Sequence, residues 1–312
     1  MRQLSSEGFR RARHFLQTEA RPLDRALFEY RFQRAPAQRV IEELAPYRNS
    51  DGGFGHALEP DVRTPSSSAL ATGIALTLLN EIGCSPQHRM VTDAIRFLRQ
   101  TFEEESGVWR VVPHDTNDHP HAPWWHDESG SLASTFDGFV VVPRAQIVGL
   151  LHEYAALVPA DWLEAVTEAT VTTIETLEDA AFAGGGDTLR YALDLAETEP
   201  LPRRFKDRLA PRVRELAAEV VCRDPREWGG YCATPLKIAP VQESIVASTL
   251  GEDLQRHLNY VIDCQSPEGT WEPTWTWGDF HPEAWKKAEL EWRGHLTLET
   301  LTSLHAFGRL ET

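Results

Sequence analysis

Residues 258–273 read LNYVIDCQSPEGTWEP: an apolar helix tail, a turn holding a proline and a glycine, then a tryptophan. The coarser succession of helix tail, turn and closing aromatic occurs twice upstream, in Val40–Phe54 (VIEELAPYRNSDGGF) and Ile95–Trp109 (IRFLRQTFEEESGVW). The closing aromatics fall at positions 54, 109 and 271, so the second interval is close to three times the first. Six units of about 52 residues account for the whole chain, and periods of that size mark stacked supersecondary units. With two helices per unit, the expected fold is all-α: an (α/α)6 toroid, a double ring of inner and outer helices with long rim loops. The expected organisation is one domain over residues 1–312, with a break near Gly184–Gly186 as the two-subdomain alternative.

Helical periodicity supports this outside the repeats. Phe9, Ala12, Phe15 and Leu16 share one face of a helix over 5–18, and Pro22 opens a second with Leu23, Ala26, Leu27 and Tyr30 in register. Pro36 begins a third, faced by Val40, Ile41 and Leu44. The stretch 66–82 starts with serines suited to capping, ends at Gly83 and is apolar nearly all round, which predicts a buried helix. Further helices are expected at about 86–102, 143–157, 160–177, 187–197, 203–221, 240–249, 251–264, 282–292 and 294–309, with Phe139–Val142 the one short strand.

The segment LNYVIDCQSPEGTWEP resembles the glutamine-tryptophan repeat of the squalene/oxidosqualene cyclase and protein prenyltransferase superfamily, with Gln265, Gly269 and Trp271 in the motif positions. NSDGGFG at 49–55 is similar to the corresponding turn of prenyltransferase β-subunits, and Gln100, Gly107 and Trp109 make a looser copy. The resemblance implies a terpenoid-cyclase-like toroid in which Gln and Trp stabilise the turn from outer to inner helix. The chemical signatures of the superfamily are missing: the chain has no DxDD and no DDxxD, and Asp263 and Cys264 are adjacent where a zinc-binding DxC would need a spacer. Fold alone carries no function.

Composition narrows the partners. With 31 Lys+Arg against 47 Asp+Glu the formal net charge is −16, which argues against nucleic acid. No apolar run reaches the roughly 20 residues of a membrane span. The charged, amphipathic N-terminus lacks the apolar core of a signal peptide. Cys84, Cys222, Cys232 and Cys264 show no CxxC spacing, so reduced thiols and a cytoplasmic location are expected. No cofactor is expected.

Three stretches could carry chemistry. The first, 111–138, holds His114, His119, His121 and His126 with Asp115, Asp118 and Asp127 and the pair Trp124–Trp125. A His–Asp pair there could move a proton beside two indoles. A metal ion on His119 and His121 is the alternative, and a solvated loop the bland reading. The second is DGGFGHALEPDVRTP at 51–65, where His56, Glu59, Asp61 and Arg63 precede the buried helix. A carboxyl near apolar walls is held protonated and suits a general acid, which makes Glu59 and Asp61 the preferred candidates; helix capping by Asp61 is the competing role. The third is the C-terminal aromatic group. Trp275 and Trp277, with Trp228 and Tyr231, could line a cavity and face a cation or a ring. Glu291 and Arg293 stand near the start of the last apolar helix, and Arg63 and Arg293 could hold an anionic head group.

These features point to a terpenoid-cyclase-like enzyme acting on an isoprenoid or similar apolar small molecule by protonation or hydrolysis. A carbohydrate-active (α/α)6 enzyme (glycoside hydrolase, lyase or epimerase) and a non-catalytic ligand-binding toroid are the alternatives. The sequence leaves the oligomeric state open.

Overall fold

A computed structural model describes residues 2–127 and 139–311. The end of the His/Asp-rich stretch, 128–138, lies outside the described residues. The chain is mostly helical: α1 Ser6–Thr18, α2 Pro22–Gln33, α3 Ala37–Leu44, α4 Ala69–Glu81, α5 Arg89–Gln100, α6 Arg144–Glu153, α7 Ala160–Thr176, α8 Asp187–Glu197, α9 Arg203–Val220, α10 Pro235–Ile238, α11 Ala247–Asp263 and α12 Pro282–Ala306. A two-residue antiparallel hairpin joins β1 Phe102–Glu103 to β2 Val108–Trp109. The helices fall into two compact units: Met1–Glu43 with Ala183–Gly186 and Ala217–Thr312, and Leu44–Phe182 with Asp187–Leu216.

In the second of these units, α4 and α6 are enclosed on almost every side. Ala69–Gly73, Ala75, Leu76 and Leu79 of α4 are buried, as are Arg144, Ala145 and Ile147–His152 of α6. The α4 helix begins where Ser68 accepts a hydrogen bond from the Ala71 N–H at 2.9 Å, the capping expected of a serine there. It packs on α5 and α6, and α6 packs in turn on α7 and α8. The α6–α8 approach depends on Gly149, because a Cβ there would stand 2.5 Å from the Thr198 hydroxyl. The His152 ring meets the Thr167 hydroxyl at 2.9 Å and ties α6 to α7.

In the other unit, α1 packs on α2 and α12, α2 on α12, and α10 on α11. The two ends of the chain pair: the Leu4 N–H donates to the Arg309 carbonyl at 2.7 Å and the Glu311 N–H to the Leu4 carbonyl at 3.0 Å. The buried Arg309 guanidinium completes the join, donating to the Arg2 carbonyl (2.7 Å), Asn259 Oδ1 (3.0 Å) and Gln255 Oε1 (2.6 Å).

Two of the three sequence copies are the same turn. The Asn49 N–H donates to the Gly53 carbonyl and the Ser266 N–H to the Thr270 carbonyl, both at 2.9 Å. Gly52 and Gly269 close the turns at φ +95° and +94°. Each following aromatic then anchors its backbone N–H on a threonine of the next buried helix: Phe54 on Thr72 at 3.1 Å, Trp271 on Thr297 at 3.2 Å. Gln265 fills the role implied by its motif, donating to the carbonyls of Gly8 (2.9 Å) and Gly269 (3.0 Å). The Trp271 indole N–H donates to the Val261 carbonyl of α11 at 2.8 Å.

Four expectations need correction. The looser copy Gln100–Trp109 is the β1–β2 hairpin; only the indole contact survives, with Trp109 donating to the Leu98 carbonyl at 2.6 Å. Phe139–Val142 is irregular, since its apolar run has no neighbouring strand to pair with among the described residues. Residues 240–246 form successive turns, and the helix starts at Ala247 with a break at Gly251 (φ 44°). The two final helices are one, because Gly294 lies inside α12, where a Cβ would be 3.1 Å from that of Ala20. That glycine permits a close crossing and does not end the helix.

Candidate functional site

The loop before α4 and the His/Asp-rich loop are laced together. Residues 61–63 run antiparallel to 120–122: the Ala122 N–H donates to the Asp61 carbonyl (2.8 Å), the Arg63 N–H to the Pro120 carbonyl (3.1 Å), and Val62 faces His121. Two of the sequence-predicted groups therefore meet. Glu59 and Asp61 are buried, at 8% and 3% exposure. His121 is buried as well, and its Nδ1 lies 2.6 Å from the His119 carbonyl. An amide oxygen only accepts, so that nitrogen carries the proton. The Nε2 of His121 then faces Nδ1 of His126 at 3.0 Å, with the two rings parallel to within 3°. Since His126 is exposed, the pair is a two-ring path from solvent to a buried imidazole.

Neighbouring side chains fix this loop. Arg110 Nη2 donates to Asp127 Oδ2 at 2.8 Å, both side chains being about a tenth exposed or less. Asn117 and the backbone of Asp127 exchange two hydrogen bonds, at 2.6 and 3.1 Å. Asp115 accepts from the hydroxyls of Thr64 (3.2 Å) and Ser66 (2.7 Å). Trp125 is buried against Phe139, with ring centroids 5.0 Å apart, whereas Trp124 is exposed. His56 turns outward and meets Asn49 Oδ1 at 2.8 Å, Arg63 donates to the Pro60 carbonyl, and Asp118 is exposed in a short 3₁₀ turn. No group of three His, Cys, Asp or Glu side chains converges for a metal among the described residues.

Sequence reasoning passed over Tyr191. Burial, and then the charges of Asp187, Asp194 and Glu59, push its phenol well above the usual value, so Glu59 lies within electrostatic range of α8. The signal was available: Asp187, Arg190, Tyr191 and Asp194 follow i, i+3, i+4, i+7, a polar stripe on a helix otherwise faced by leucines. Arg190 Nε donates to Asp194 at 3.0 Å, and Gln146 Nε2 of α6 to the same carboxylate at 3.2 Å. Beside them a cleft of about 320 Å³ is lined by Thr77, Asn80, Gln146, Glu153, Asp194 and Thr198, among others. Burial and then the charge of Glu199 push the Glu153 carboxyl up.

The remaining candidates belong to the other unit. Tyr231, 57% exposed, meets the edge of Trp275 at 6.3 Å, and Trp275 meets Trp292 edge-on at 5.0 Å. Trp277 is buried against Trp285, and Trp228 lies beneath its own loop. Arg293 is engaged with Glu272 at 2.9 Å and with the Thr270 hydroxyl at 3.1 Å, and Glu291 stands 4.0 Å from Lys287.

The chain is similar along its whole length to several solved structures. One is a protein from Actinoplanes, with a TM-score of 0.57 at 16% identity, covering 97% of this chain and 99% of that one. Another is an arginine-to-alanine variant of the type II terpene cyclase MstE from Scytonema, in complex with its substrate geranylgeranyl dihydroxybenzoate; the TM-score is 0.54 at 13% identity, covering 96% and 97%. An aspartate-to-alanine variant of the same cyclase, bound to its product merosterolic acid A, gives 0.52 at 13% identity, covering 96% of each chain. No family model matches the sequence, and no curated protein matches it. The fold is therefore terpenoid-cyclase-like. No helix among the described residues is long and apolar enough to cross a membrane.

Proposed function

We propose that the chain is a terpenoid-cyclase-like enzyme that protonates an isoprenoid or similar apolar substrate, on helices repeating as an (α/α)6 toroid. The observation that carries this reading is the burial of Glu59 and Asp61 directly before the enclosed helix α4, in a fold whose solved neighbours include a cyclase bound to a geranylgeranyl substrate. A carboxylic acid at that place gives its proton to a terminal alkene, the tertiary cation closes a ring, and loss of a proton elsewhere ends the sequence. The phenol of Tyr191 stays protonated and can donate a hydrogen bond without supplying the acid. The indoles of Trp124 and Trp125 offer faces to positive charge, and Trp275 with Tyr231 offers a separate aromatic surface.

The direct test supplies farnesyl and geranylgeranyl compounds to the wild type, Glu59→Gln and Asp61→Asn. At least one carboxamide variant should lose turnover by about 10²-fold or more, the scale of a lost general acid, while still binding substrate. Unchanged turnover in both removes the reading. A carbohydrate-active reading has one observation in its favour, the hydrogen-bonding cleft between α4, α6 and α8. It predicts binding of oligosaccharides that Gln146→Ala weakens, with no binding of isoprenoids.

A further inference from the structure

We propose that Cys222 and Cys232 form a reversible redox-modification site, closing to a disulfide when the chain meets a low-molecular-weight disulfide. After α9 the chain makes a loop and returns, so that the Cys222 N–H donates to the carbonyl of Ala233, next to Cys232, at 2.9 Å. Trp228 fills the floor of this loop, 3% exposed, with its indole N–H on the Cys222 carbonyl at 2.8 Å. Both thiols converge on Glu227: Cys222 Sγ donates to Oε2 at 3.3 Å and Cys232 Sγ to the backbone oxygen at 3.5 Å. The two thiols also lie close enough for each to act on the other's charge. Each is half-buried, so a small disulfide can reach them. Exposed Cys264 lies near the Tyr260 hydroxyl, within electrostatic range of which Cys232 also falls, and Cys84 belongs to the other unit.

With oxidised glutathione the chemistry balances. The Cys232 thiolate attacks one sulfur of the reagent, forming a mixed disulfide and expelling one glutathione thiolate. Cys222 loses its proton to water, attacks the Cys232 sulfur and expels the second. Two protein thiols are oxidised and one glutathione disulfide is reduced. Burial and the hydrogen bond to Glu227 push the Cys222 thiol up to about 12, so closure is slow near neutrality and speeds up about tenfold per pH unit. The closed bridge fixes the backbone beside Tyr231, the residue that meets Trp275.

The test is thiol counting and peptide mapping on the full chain after incubation with oxidised glutathione. Two of the four thiols should disappear, a Cys222–Cys232 cross-linked peptide should form, and a dithiol should restore both. Cys222→Ser should stop at a stable mixed disulfide on Cys232, while Cys264→Ser should close as the wild type does. Four titratable thiols, mixed disulfides left on both cysteines, or a cross-link to Cys84 or Cys264 would overturn the proposal.

Discussion

His257 makes the stability of its unit depend on pH. It is 4% exposed, its Nδ1 has no hydrogen-bond partner, and the rings of Trp228 and Tyr260 pack around it. Burial pulls its pKa from 6.5 down to about 3. Below 6.5 the unfolded chain takes up a proton that the folded chain refuses, so stability falls as pH falls from 6.5 towards 3. Between pH 7 and pH 5 this one group should remove about 2 kcal/mol. Urea unfolding at both pH values should show that loss in the wild type, and His257→Phe should lack that part of it. Trp271→Phe isolates one contact of the motif: it strands the Val261 carbonyl and should lower stability by about 1 kcal/mol at neutral pH.

Between residues and molecule stand the turns and crossings. Gly269→Ala places a Cβ 2.5 Å from the Ala12 nitrogen at φ +94°, so it combines strain with a backbone collision. A loss of about 2 kcal/mol or more, read from the denaturant midpoint, is expected. Gly294→Val tests the α12 crossing: the added methyl groups meet Ala20 and Asp24, and the loss should reach about 2 kcal/mol, although valine ordinarily suits a helix better than glycine. The glutamine-tryptophan turn was legible because its chemistry is local, one glycine at positive φ and one side-chain amide between two carbonyls. The hairpin at Gln100–Trp109 was not, since Gly107 and Trp109 keep the two-residue interval of Gly269 and Trp271 while the stretch from the glutamine to the glycine is three residues longer and turns differently. The irregular 240–246 was hidden by Val241, Ile245 and Val246, whose spacing imitates a helix face. Gln242 in fact leaves any such face and donates to the Ala306 carbonyl near the end of α12 at 2.8 Å.

At the scale of the molecule, helical class could be read from spacing alone, because a buried helix must be apolar on nearly every side and α4 is. Glu59 and Asp61 were legible for the same reason, as carboxylates entering such a helix. The lacing of 61–63 to 120–122 is a pairing between distant segments that no local pattern encodes, and Tyr191 came into range of Glu59 only through the packing of α8 on α6. The proposal that protonation starts the reaction is tested most directly by running turnover of a geranylgeranyl compound in D₂O and weighing the product. The wild type should form a cyclised product carrying a deuteron from solvent at the carbon protonated first, and Glu59→Gln or Asp61→Asn should lose it. A product without solvent deuterium, or one formed equally by both variants, would contradict it.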